Sequence, residues 1–322
     1  MRKSEATKIN KVICVTLNTA IDHIVEVDTL DAGSTMRASH SQLVPAGKGV
    51  DVAVGVAAFG GYAVATGFVG ENSREVFASL RAEQVELMFI EVPGSTRINV
   101  TIFERTVLRE THLQTIGYEI SEADVEQLYI ALERNVALGD VIVIGGSLPP
   151  GSPNGLMAEL VTLCRTLGAY VILDSSGTAL LDGLRAGPQM VKPNLLELAQ
   201  IVGHAVDDSD SGIPRAVQEC RFFGSARVVV SRGYRGIVVI EDGQAWKAWL
   251  NNNNNGKTAG VGSGDALVAA FAFSILKNHT LDRAMRLGVA CGAANLLTKL
   301  PGRFRSTDVE ELLPRANVHR IV

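Results

Sequence analysis

Cysteine is scarce. Cys14, Cys164, Cys220 and Cys291 are all the chain has, and no two stand at C-x-x-C spacing. No zinc knuckle or dithiol redox pair is visible, and buried, inert thiols are expected. An excess of either charge is missing too: 30 lysines and arginines face 34 aspartates and glutamates, a net charge of −4 with histidine neutral. A nucleic-acid partner requires a basic excess to neutralise phosphates, so none is expected, although a few local cations would suffice for a small anion. Long hydrophobic runs are absent as well. Val12–Leu17 is too short for a signal-peptide core, and Ala266–Leu276 falls short of the ~20 residues that span a bilayer. A soluble cytoplasmic chain without a membrane partner is the expectation.

Several catalytic signatures are also lacking. There is no H-E-x-x-H, no G-x-S-x-G, and no G-x-G-x-x-G leading from a strand into a helix. Metalloprotease, serine-hydrolase and dinucleotide redox chemistry are therefore not indicated. Gly256-Lys257-Thr258 ends like a phosphate-binding P-loop, but Asn251 stands where that motif needs its first glycine. Ser147, in Gly145-Gly146-Ser147-Leu148-Pro149, lacks the second glycine of a nucleophile elbow.

What is present is a 322-residue chain, 47% apolar, with ample length for a core. Short β-branched runs alternate with segments of helical period. Strands are expected at Lys11–Leu17, Ala63–Val69, Val141–Ile144, Tyr170–Leu173, Met190–Val191 and Arg227–Ser231, and helices at Gly49–Phe59, Arg74–Glu83, Glu122–Asn135, Gly155–Leu167 and Pro214–Phe222. Runs such as VIVIG, apolar throughout, suit a parallel sheet covered on both faces. Ile24–Val27 with Met36–Val44, and Ile98–Glu104 with Thr111–Ile116, read as two strand pairs without helices between them, a small antiparallel sheet standing off the main body. A hairpin, Gly236–Glu241 with Gln244–Leu250, turns at Asp242-Gly243. Two long helices follow, Gly264–Lys277 and Leu281–Leu297. Asn251–Asn255 reads as an exposed loop.

Three clusters carry candidate chemistry. Gly260-Val261-Gly262-Ser263-Gly264-Asp265 opens an apolar helix, and small residues there leave backbone N–H groups free to cradle a phosphate. Asp265 is either a helix cap or a general base beside that cradle. Ala46-Gly47-Lys48-Gly49-Val50-Asp51 also opens a helix, with a cation between two glycines. Lys192-Pro193-Asn194-Leu195-Leu196-Glu197 sets Asn194 and Glu197 three apart, which suits either the orienting of a hydrated Mg2+ or a capping box.

In this order the segments resemble the ribokinase-like, PfkB-type sugar kinases, and their hexose-phosphate branch in particular. Thr16–Asp22 is similar to that branch's T-L-N-P-A-x-D, with Thr19 in place of proline. Ala46–Ala53 is similar to G-G-K-G-x-N-V-A, with Asp51 in place of asparagine. Arg97–Val100 matches R-x-N-V, Gly146–Gly151 G-S-L-P-P-G, Asp174–Gly177 D-x-S-G, Lys192–Glu197 K-P-N-x-x-E, Ser231–Gly233 S-x-G, and Gly262–Asp265 G-A-G-D with Ser263 for alanine. The usual P-G-P is replaced within Thr115–Tyr118.

The resemblance covers residues 11–315 and implies one three-layer α/β/α domain with a mostly parallel central sheet. Its antiparallel β lid would be drawn from about 23–46 and 96–117, after a polar extension at 1–10. It implies ATP-dependent phosphoryl transfer to a hydroxyl of a phosphorylated ketohexose. Fructose 1-phosphate is the first expectation, followed by tagatose 6-phosphate and fructose 6-phosphate. Asp265 would be the base, and the N–H groups of Gly262, Ser263 and Gly264 the anion hole. Asp22, Gly47, Lys48, Asp51, Arg97 and Asn99 would bind the sugar phosphate, with Lys48 and Arg97 on its resident phosphate. Lys192, Asn194, Ser231, Gly233, Gly236 and Asn295 would line the ATP site. Glu197 and Asn194 would organise Mg2+ through water. A homodimer through the lid is implied. A nucleoside or simple-sugar kinase would have no use for Lys48 and Arg97, and an idle sugar-phosphate-binding protein would be free to lose Asp265.

Overall fold

A computed structural model describes residues 10–220, 227–251, 261–298 and 300–321. The extension before residue 10, Phe222, the asparagine run beyond Asn251, the Gly256-Lys257-Thr258 triplet and Gly260 lie outside the described residues. In chain order the strands are β1 (Val12–Thr16), β2 (Ala20–Val27), β3 (His40–Ala46), β4 (Ala63–Gly70), β5 (Val85–Val92), β6 (Arg97–Glu104), β7 (Arg109–Leu113), β8 (Val141–Gly145), β9 (Tyr170–Asp174), β10 (Met190–Val191), β11 (Arg227–Ser231), β12 (Ile237–Glu241), β13 (Gln244–Leu250) and β14 (Ala316–Arg320). The helices are α1 (Lys48–Ala58), α2 (Arg74–Ala78), α3 (Glu122–Asn135), α4 (Leu156–Thr166), α5 (Gly177–Arg185), α6 (Leu195–Val202), α7 (Gly212–Glu219), α8 (Ser263–Leu276), α9 (Leu281–Asn295) and α10 (Ser306–Leu312).

Ten strands make one sheet in the order β14-β13-β12-β11-β10-β9-β8-β1-β4-β5. It is parallel from β5 to β11, and the last three strands are antiparallel. The β-branched runs VICVT and VIVIG are buried at every position because helices cover both faces. Alternate residues serve opposite layers. Val12 and Cys14 pack with α1, α8 and α9, while Ile13 and Val15 pack with α3, α4 and α5. This is the three-layer sandwich expected. The buried thiols of Cys14, Cys164 and Cys291 are all pushed up by burial, which suits inert packing residues.

The second sheet has the order β3-β2-β6-β7. Each expected pair is antiparallel, and the two pairs join through parallel β2 and β6. The fold runs past residue 315, because β14 closes the main sheet against β13. β5, α5 and β14 lie outside the expected elements, and α6 forms directly after Asn194. Arg74–Glu83 divides into α2 and a tighter 3-10 turn over Ser79–Glu83.

Candidate active site

The site lies where β1, β8, β9 and β10 end, beside the point at which chain connections from β1 diverge to either side, a common binding position in doubly wound sheets. The start of α1 is seated directly on β1. The Val50 N–H donates to Thr16 Oγ1 at 3.1 Å, and a Cβ on Gly49 would lie 2.5 Å from that oxygen, so only glycine fits. This seating carries Lys48 over the strand ends. Its Nζ is 3.2 Å from both Asp174 oxygens and 4.0 Å from Asp265 Oδ1. Lys192, buried at the end of β10, puts its own Nζ 3.2 Å from Asp174 Oδ1. Burial opposes the charge on Asp174, but Lys192 and Lys48 outweigh it and hold this carboxyl below its usual range. Burial likewise opposes the charge on Lys48, and Asp174 with Asp265 more than offsets that, leaving its pKa raised.

At the start of α8, Gly262 has φ +88°, and a Cβ there would lie 2.0 Å from the Gly302 nitrogen. Among the described residues no side chain caps this helix. Of the two roles open to Asp265, the cap is therefore excluded. Its carboxyl is buried, and Oδ1 has no hydrogen-bond partner among the described residues. Burial is the main cause that pushes Asp265 up to about 6, with Lys48 pulling the other way and Asp174 adding to the rise. The first N–H groups of α8 have no preceding helical carbonyl to meet. Lys192 Nζ stands 3.7 Å from where a Gly264 Cβ would be, so a cation flanks them. An anion set here would face backbone N–H groups, the helix dipole and two lysines.

Asn194 and Glu197 form a capping box at the start of α6. Asn194 N–H donates to Glu197 Oε2 at 2.8 Å, and Glu197 N–H donates to Asn194 Oδ1 at 2.9 Å. Glu197 keeps its second oxygen. Among the described residues no three acidic, histidine or cysteine side chains cluster as a direct metal cage. The donor set fits a hydrated ion that takes its other ligands from phosphate. Ser231 bridges to Asn194 across the strand ends, and Gly233–Gly236 forms a tight turn closed by Gly236 N–H to Gly233 O at 3.0 Å. Asn295, fully buried, accepts from the Ser263 hydroxyl at 3.4 Å and donates to the Leu300 and Arg303 carbonyls. It braces the start of α8 from behind.

Opposite, β2 and β6 set Asp22 beside Asn99, whose amide donates to Asp22 Oδ1 at 2.9 Å. Burial raises Asp22 above the usual carboxylate range, against Asn99 and Arg97. Arg97 spends two donors on the Thr19 and Asn18 carbonyls, at 3.3 and 3.1 Å. Asp51, in the first turn of α1, is buried beside Gly47, and Arg303 reaches its Oδ1 at 3.4 Å. Burial and Asp265 push Asp51 well above the usual range, with Arg303 resisting.

The model of the pfkB family of carbohydrate kinases matches residues 10–307. The chain belongs to that family. It is an ATP-dependent sugar kinase by this membership. The 1-phosphofructokinase of Bacillus subtilis is 32% identical over 95% of this chain and 99% of its own length. The tagatose-6-phosphate kinase of Staphylococcus epidermidis is 26% identical over 95% and 99%. Among solved structures, phosphofructokinase-2 from Escherichia coli superposes with a TM-score of 0.87 at 27% identity, covering 95% of this chain and 99% of that one.

Two departures of this kinase from the family pattern turn out to be partners. Thr19, where proline is usual, gives its N–H to the hydroxyl of Tyr118 at 2.9 Å, and Tyr118 stands where P-G-P is usual. Tyr118 Oη also lies 2.9 Å from Leu17 O and 2.8 Å from Phe68 O, a buried knot at the foot of the second sheet. Sequence reasoning gave no site role to three further residues, although it placed Asp174 in the D-x-S-G match. Asp174 was visible as a charge ending an apolar strand. Glu83 and Arg303 carried no local signal.

Proposed function

We propose that this kinase transfers the γ-phosphoryl group of ATP to a free hydroxyl of a ketohexose monophosphate, fructose 1-phosphate first, giving fructose 1,6-bisphosphate and ADP. The observation that carries the reading is Asp265: a buried carboxyl with an unpartnered oxygen, at the mouth of a helix N-terminus and flanked by lysines. The acceptor hydroxyl attacks the γ-phosphorus and passes its proton to Asp265, while the bond to the ADP oxygen breaks. The N–H groups of Gly262, Ser263 and Gly264 stabilise the transferring charge. Asp22, Gly47, Asp51 and Asn99 hold the sugar hydroxyls. Arg97 serves the phosphate already on the sugar. Lys48 was expected to share that task, but its Nζ stands between Asp174 and Asp265, which suits the phosphoryl group in transit better.

Lys192, Ser231, Gly233 and Gly236 line the nucleotide, with Asn194 and Glu197 toward its phosphates and Asn295 behind. Mg2+ bound with ATP would neutralise charge on the phosphates, and Glu197 and Asn194 would hold its water. The cytoplasm, with its ATP, is the compartment this reading implies.

A homodimer through the lid accompanies the reading. Leu43, His23, Val100 and Leu113 stand in one row across β3, β2, β6 and β7, on the face away from Asp22 and Asn99. Leu43 and Leu113 are about half exposed there, and Ile98 adds to the patch. A second copy of this chain would cover it.

The test is ADP release with MgATP against fructose 1-phosphate, tagatose 6-phosphate, fructose 6-phosphate, fructose and ribose. Turnover on a phosphosugar that is lost with Asp265→Asn supports the reading, and faster turnover on fructose or ribose would refute it.

A further inference from the structure

Arg303 lies outside the family signatures named above, yet its side chain is nearly buried and every guanidinium nitrogen is used. Nε and Nη2 grip the two oxygens of Glu83 at 3.1 and 3.2 Å. Nη2 also donates to Pro45 O at 3.3 Å, and Nη1 to Pro301 O at 3.3 Å and Asp51 Oδ1 at 3.4 Å. One planar group thus joins β3 of the lid, the first turn of α1, the 3-10 turn over Ser79–Glu83 and the turn before α10.

The turn it belongs to is wedged between acceptor wall and anion hole. Gly302 has φ +70°, and a Cβ there would lie 2.2 Å from Asp51 Cβ. On its other side the Gly302 nitrogen would block any Cβ on Gly262 at 2.0 Å. A cation this deep is usually either a ligand for an anion or a fixed part of the wall. With its donors spent on five acceptor atoms, Arg303 has none to offer a phosphate, which rules out the first role. The carboxyl at position 51 needs a donor beside it, because a buried carboxyl left without one incurs its full desolvation penalty.

We propose that Arg303 is a positioning residue for the sugar phosphate: it fixes the Asp51 carboxyl at the acceptor wall and ties that wall to the anion-hole turn. The proposal rests on the acceptor reading given above. A lysine could not replace it, since an ammonium cannot fork onto Glu83 while reaching Asp51.

The experiment is a cycle of Arg303→Leu, Asp51→Ala and the double variant, with KM for the phosphosugar, KM for MgATP and melting temperature read on each. Arg303→Leu is expected to raise the sugar KM by about tenfold while the MgATP KM moves less than about twofold. Acting through Asp51, it should add almost nothing in the Asp51→Ala background. Arg303→Lys should recover little of the lost sugar KM. Should Arg303→Leu fail to fold, Glu83→Gln loosens the grip from the more exposed rim and should raise the sugar KM by a few-fold. An unchanged sugar KM in Arg303→Leu or Glu83→Gln, or losses that multiply in the double variant, would overturn the proposal. Silence of the wild-type chain on every phosphosugar would instead overturn the acceptor reading, and it is seen before any variant is made.

Discussion

The end of β9 and the start of α8 each place one buried aspartate on the floor of the site, and the two behave in opposite ways. Asp174 has lysine nitrogens at 3.2 Å on both sides, whereas Asp265 has one at 4.0 Å. Burial raises both carboxyls. At Asp174 two close cations win and the group stays charged; at Asp265 the lysines stand farther off, the Asp174 charge adds to the rise, and the group reaches about 6. Both are aspartates and both are buried. Less than an ångström in the approach of the ammonium groups, together with the neighbouring Asp174 charge, separates a carboxyl held charged from one poised near neutral pH, as the proposed base requires.

The largest expected effect comes from removing the poised member. Asp265→Asn should lower turnover by about 10^3-fold, the scale of a lost general base. Its effect on stability has the opposite sign. A carboxyl whose pKa is higher folded than unfolded stabilises the fold below its unfolded value and loses that contribution as pH rises through about 6. At pH 7 the charge is a burden, so the neutral amide should raise stability by ~2 kcal/mol. Thermal melts at pH 7 alongside turnover check both halves, and a variant with near-normal rate would take Asp265 out of the base role.

Asp174→Asn should move stability the other way. Its carboxyl is lower folded than unfolded, so it contributes above its unfolded pKa and loses that contribution as pH falls through the folded one. Deleting the charge leaves Lys48 and Lys192 facing each other and should cost ~3 kcal/mol at pH 7. The penalty should shrink in strong acid, below the usual carboxylate value, which denaturant titrations at pH 7 and pH 3 would reveal.

The pH profile sharpens the contrast without destroying either group. If Asp265 is the base proposed above, kcat/KM for the sugar phosphate should fall about tenfold per pH unit below about 6, since only its ionised form can accept the proton. Lys48 lowers the pKa of Asp265, so Lys48→Met should shift that acid limb to higher pH. A limb that stays in place would mean Lys48 does not set the base.

Much of this floor was legible in the chain. Gly262–Asp265 and Lys192–Glu197 are local patterns, and a strand of VIVIG type leaves few alternatives to a covered parallel sheet. The partners were less so. Nothing in Lys48 announces that its ammonium turns to Asp174, 126 residues away, and Arg303 meets Asp51 across 252 residues, a distance at which no spacing rule operates. α5 was obscured by glycines at both Gly177 and Gly183, which weaken a helical pattern, and β14, ANVHR, is too short and polar to read as a strand before its neighbour β13 is known.

The smallest effect supplies the uncharged control. The knot of Thr19 and Tyr118 is as deeply buried as the two aspartates, but burial pushes the Tyr118 phenol up to about 12, so it stays neutral throughout the working range. Tyr118→Phe removes the acceptor of the Thr19 N–H and the hydroxyl beside the Leu17 and Phe68 carbonyls, while Thr19 Oγ1 keeps its own bond to Phe68 O at 2.6 Å. The orphaned N–H should cost ~1 kcal/mol of stability. Because Thr19 O also receives Arg97, the sugar phosphate KM should rise by about two- to fivefold, the scale of a hydrogen bond weakened at one remove. Neither change should depend on pH between 5 and 8, since no group in the knot titrates there. A pH-dependent loss in Tyr118→Phe would mean that the knot is coupled to the aspartates, and that burial at this site cannot be separated from charge.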